Sequence, residues 1–177
     1  MSYARSKRLR IGATLCGVVL CAALGVHAAE KPSDDQAYLD ALQGSWTVHG
    51  AVGKQPVTYS GRGQRVLNGG FLELHLLDTA QPPQYEADVF IGYDPKANDY
   101  IVHWLDRFGA GGARVVASGH REGDRLVVTF PYAEGDFRDT FTHDAVNGTW
   151  TLLLESKQKS GSWSTFANFA LQKVIAR

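Results

Sequence analysis

From residue 44 to its end the chain repeats one pattern: short runs rich in β-branched and aromatic residues, each closed by Gly, Pro, Asn or Asp. About ten such runs of ordinary strand length can be counted. The most aromatic pair spans residues 87–106, where Ala-Asp-Val-Phe-Ile-Gly-Tyr-Asp and Asp-Tyr-Ile-Val-His-Trp-Leu-Asp flank Pro95, Lys96, Ala97 and Asn98. This predicts a β-hairpin. Asn68-Gly69-Gly70, Pro82-Pro83, Glu122-Gly123, Glu134-Gly135 and Ser160-Gly161 mark further turns. Asn147-Gly148, between Val146 and Thr149, predicts a two-residue type I′ turn. Connections this short join antiparallel neighbours, so the fold class expected is all-β: an up-and-down antiparallel β-barrel that closes to remove its edges.

Only one stretch has helical periodicity. Ser33-Asp34-Asp35-Gln36 matches a capping box, and Tyr38, Leu39, Ala41 and Leu42 give the following turns one apolar face. The helix is expected over about 34–43, with Gly44 as its C-terminal cap. It is too short to stand alone and is expected to cover one end of the barrel.

The first ten residues carry Arg5, Lys7, Arg8 and Arg10 and no acid, and residues 11–26 are apolar apart from Gly, Thr and Cys. With Val26-His27-Ala28 completing a peptidase site, residues 1–28 read as a cleaved secretory signal peptide. The apolar run is too short for a membrane anchor, and Cys16 and Cys21 each follow leucine, unlike a lipid-attachment site. Cleavage leaves residues 29–177 as a single domain of 149 residues with no cysteine. Its 14 Lys+Arg and 18 Asp+Glu give a net charge of −4, which disfavours nucleic acid and anionic membranes as partners. The signal predicts an exported protein, in a periplasm or secreted.

Gly44-Ser45-Trp46, on the first strand after a short helix, resembles the Gly-x-Trp signature of the calycins, the lipocalin and fatty-acid-binding barrels. That resemblance implies a basic residue from the last strand over Trp46, for which Lys173 is the candidate and Arg177 the substitute. Residues 65–73, Ile91-Gly92-Tyr93-Asp94 and Trp104-Leu105-Asp106 resemble recurring motifs of the DUF1579 family, bacterial proteins of unassigned function, over roughly residues 40–155. The likeness implies a calycin-like barrel and brings no activity with it. Gly44, Trp46, Gly92, Asp94, Asp106 and Lys173 are the structural signature positions. A more distant likeness to nitrobindin-type haem barrels lacks their C-terminal histidine ligand.

Candidate chemistry is sparse. A three-residue turn at residues 68–70 would set Arg65 opposite Glu73, either as an outer ion pair or inside a wet cavity where Arg65 could hold a ligand carboxylate. Tyr93, Tyr100 and Trp104 offer flat faces with polar tips, and His103 lies among them. Alternation leaves open whether Tyr100, Val102 and Trp104 or Ile101, His103 and Leu105 face inward. His49, His75, His103, His120 and His143 fall on separate strands without the short spacing of a metal site. No nucleophile motif or phosphate loop is found, so no catalytic residue, metal or cofactor is assigned. Arg65, Glu73, Tyr93, Tyr100, His103 and Trp104 are therefore candidate contacts for a small apolar or amphipathic molecule held inside the barrel. The alternatives are an isomerase- or hydrolase-type site built from His103, Glu73 or Asp106, and a solid-core barrel that binds other proteins by its surface.

Overall fold

A computed structural model describes residues 34–175. The expected signal peptide, the Ser33 cap and Arg177 lie outside those residues. Helix α1 (Asp34–Asp40) is followed by strands β1 (Gly44–Val52), β2 (Gln55–Val66), β3 (Phe71–Asp78), β4 (Glu86–Asp94) and β5 (Asp99–Asp106). After a longer connection come β6 (Ala117–Glu122), β7 (Arg125–Phe130), β8 (Phe137–Asp144), β9 (Thr149–Lys157) and β10 (Trp163–Lys173). Every strand pairs antiparallel with its chain neighbours, and β10 returns to β1, so the meander closes into a ten-stranded barrel. The all-β barrel expected from the alternation is the fold observed.

Closure follows from the period-two pattern, which gives each strand one face for the interior. Trp46 and Val48, Leu72, Leu74 and Leu76, Val89 and Ile91, Tyr100 and Val102, and Trp150 and Leu152 all share the buried core. On β5 the inward set is thus Tyr100, Val102 and Trp104, while Ile101, His103 and Leu105 face out.

Helix α1 plugs one end of the barrel. Tyr38, Leu39 and Leu42 join the core, and the Tyr38 hydroxyl donates to the Phe141 carbonyl at 2.9 Å. The plug is fastened from both sides. Arg65 donates to Asp40 Oδ1 at 2.8 Å and to the Gln36 carbonyl at 2.9 Å, while Arg121 pairs with Asp34 and Asp35. Trp46 donates its indole N–H to the Leu42 carbonyl at 2.8 Å, and Lys173 Nζ lies 5.5 Å from the Trp46 ring centre.

Two turns differ from expectation. Between β2 and β3 the connection holds four residues, with Val66 opposite Phe71, so Arg65 faces Leu72 and Gln64 faces Glu73. Arg65 and Glu73 are therefore on opposite faces of the sheet. The turn after β8 also has four residues, closing Asp144 onto Thr149. The Asp144 carboxylate accepts the Val146 and Asn147 amides at 3.0 and 3.1 Å, and the positive φ falls on Gly148 at 63° and not on Asn147. An aspartate that holds the loop amides supplants the type I′ geometry. Asp94 does the same before Lys96, with Asn98 at φ 52°.

Candidate functional site

At the end of the barrel away from α1 the interior is not filled. A cavity of about 450 Å³ is lined by Val52, Val57, Tyr59, Leu76, Tyr85, Trp104, Leu154, Ala167 and Phe169, with Asp78, Gln84, Asp106, Phe108 and Phe166 around it. A second lobe of about 190 Å³ shares Tyr85, Trp104, Asp106, Leu154 and Phe166 and adds Phe130, Tyr132, Phe137 and Asp139. The two lobes adjoin, with these five residues common to both linings.

Three local features open this end. First, β5 pairs with β6 over only Tyr100, Ile101 and Val102, and residues 107–116 span the rest of that seam. Second, β10 is bulged between Thr165 and Ala167, which leaves Phe166 out of register with β9 at the cavity rim. Bulges commonly re-aim a side chain next to a site. Third, the Asp78 carboxylate accepts the Ala80 and Gln84 amides at 3.0 and 2.9 Å, fixing the loop that presents Tyr85. Those backbone bonds, Ala80 and Gln84 first, hold the Asp78 carboxyl below its usual range. Tyr85 Oη then accepts the Trp104 indole N–H at 3.0 Å.

The electrostatics of the site are one-sided. Asp139 sits between Val128 of β7 and Leu154 of β9, faces inward and is 1% exposed. Its Oδ1 has no hydrogen-bond partner. Burial alone pushes its carboxyl up to about 8. Burial also raises the Tyr85 and Tyr132 hydroxyls, and the nearby Asp106 and Asp139 carboxyls add to both shifts. No Lys, Arg or His lines either lobe.

Of the residues singled out from the sequence, Trp104 and Asp106 line the cavity. The others are elsewhere. Arg65 clamps α1, and Tyr100 donates to Asp35 Oδ1 at 2.8 Å beneath the same helix. Tyr93 packs on Tyr100 with ring centres 5.0 Å apart and donates to Asn98 Oδ1 at 2.8 Å. Glu73 accepts a hydrogen bond from Gln64 on the outer face. His103 also points outward, with Nε2 2.8 Å from the Ala113 carbonyl. Phe90 lies between Glu73 and His103 in the register, and Asp106 is on the opposite face from both, so these three form no catalytic grouping. At Gly92 an added Cβ would lie 2.7 Å from the Phe71 ring, which explains the glycine by close approach. Among the described residues no three His, Cys, Asp or Glu side chains converge as metal ligands.

Sequence reasoning missed Tyr85, Tyr132, Phe166 and, above all, Asp139. A signal for Asp139 existed, because Phe137, Asp139 and Phe141 share one strand face. Compared with protein-family models and with curated proteins, the chain matches none.

Proposed function

We propose that this is an exported, calycin-like barrel protein of the DUF1579 kind, which binds a small, partly apolar molecule in the open end of its barrel. The observation that carries the reading is the two-lobed aromatic cavity opposite the helical plug. A solid-core interaction module would bury apolar side chains there, since interiors ordinarily pack without voids larger than a water. Burial of the ligand's apolar surface supplies the affinity, and the few polar groups fix its orientation. The leading segment of residues 1–28 supports export, and the likeness to bacterial proteins favours the periplasm.

Native mass spectrometry of the protein purified from its own host without detergent tests the reading. The expected result is a reproducible added mass that vanishes on denaturation. A bare mass, together with no uptake of the neutral dye Nile red, would overturn it.

A further inference from the structure

The site described above contains a buried carboxyl that the fold does not use. Asp139 Oδ1 has no hydrogen-bond partner, and its strand neighbours Val128 and Leu154 give it none. Burying a polar atom without a partner is destabilising, and an apolar side chain at this position would remove that cost. Asp106 lines the same lobe, and the rest of its lining is largely aromatic: Tyr85, Trp104, Phe130 and Tyr132, the last two stacked with ring centres 5.8 Å apart. Asp78, the third carboxylate at the site, is already occupied by loop amides.

Carboxyls set among aromatic faces, with no basic side chain along the lining, suit one sign of ligand charge. A carboxylate or phosphate would find no cationic side chain on the lining. An ammonium would find carboxyl counter-ions and aromatic rings lining the same lobe. We infer that the ligand carries a cationic nitrogen, seated between the Asp139 and Asp106 carboxyls and the aromatic wall of the smaller lobe. This rests on the reading that the cavity binds a small molecule. Asp139 is the unpartnered, buried group that points to a ligand, and a cation would supply the partner that its Oδ1 lacks.

The test is calorimetric titration at pH 8.5 with three probes of similar shape, 2-phenylethylamine, 2-phenylethanol and 3-phenylpropionate, with Nile red uptake measured in parallel. The amine is expected to bind about tenfold or more tightly than the alcohol, and the propionate weakest. In Asp139→Asn, with the far-ultraviolet circular dichroism spectrum unchanged as the check on folding, the advantage of the amine should shrink to a few-fold. Should the variant fail to fold, the ranking of the three probes on the wild-type protein decides. Nile red uptake without preference for the amine overturns the inference and leaves the cavity reading standing; so does an amine preference that survives Asp139→Asn. Failure of all four compounds to bind overturns both.

Discussion

Trp104 donates its indole N–H to the Tyr85 hydroxyl at 3.0 Å, tying β5 to the loop that enters β4 across the open end of the barrel. Both rings line the larger lobe, so the bond holds a wall of the site in place. Trp104→Ala should weaken Nile red uptake roughly tenfold while the far-ultraviolet circular dichroism spectrum is unchanged. Tyr85→Phe leaves the indole donor without its partner and should cost about 1 kcal/mol in urea denaturation. Unaltered dye affinity in Trp104→Ala would place binding elsewhere.

At the opposite end, the Leu42 carbonyl accepts the Trp46 indole N–H and passes over Gly63, where an added Cβ would lie 2.0 Å from that oxygen. No side chain fits between β2 and the turn that follows α1 there. Gly63→Ala should therefore destabilise the protein by roughly 1–3 kcal/mol or more, read as a lower urea midpoint. An unchanged midpoint would mean that the plug is not seated as described.

The plug should also loosen in acid. Burial raises the Asp35 carboxyl, but the hydrogen bonds from Arg121 and Tyr100 outweigh it and hold the group below its usual 3.8. A depressed folded-state value means that the stabilisation is present above pH 4 and is lost as pH falls through the folded value. Arg121→Ala should lower the melting temperature at pH 7 and reduce its fall between pH 5 and pH 3. Dye binding at the other end should be unaffected.

Asp139 gives the reverse dependence. Its carboxyl rises from the usual 3.8 to about 8 on folding, so between these values the folded protein holds the extra proton. Stability is then full below pH 4 and declines as pH rises, by up to roughly 1.4 kcal/mol per pH unit, levelling above pH 8. The titratable groups facing it are Asp106, Tyr85 and Tyr132, none of them cationic, so nothing in the empty site offsets the decline. Asp139→Leu should flatten this profile and stabilise the protein at pH 8 by on the order of a few kcal/mol, at the expense of amine binding. Chemical denaturation across pH 5–9 checks the slope.

The barrel was legible because strand alternation and short turns dictate neighbours, and the helical plug because Tyr38, Leu39 and Leu42 repeat with helical spacing. The site was less so. On β5 both faces are rich in large side chains, so alternation alone did not choose between Trp104 and His103. The turn after β2 has no sequence feature that distinguishes three residues from four, and one residue moved Arg65 off Glu73 and onto Leu72. Phe166 reaches the cavity only through a bulge, which shifts register without marking the sequence. Asp139 was passed over because an aspartate in a strand ordinarily faces water; its place between Phe137 and Phe141 gave the inward face away.

The central claim is that a small molecule occupies the interior at the end away from α1. Methyl nuclear magnetic resonance during Nile red titration tests this most directly, since leucines and valines mark both ends. The account predicts shifts at Val57, Leu76 and Leu154, which line the cavity, and none at Leu39 and Leu72, which are packed at the plugged end. Shifts confined to the outward-facing Leu77 and Leu105, or no saturable shifts, would contradict it.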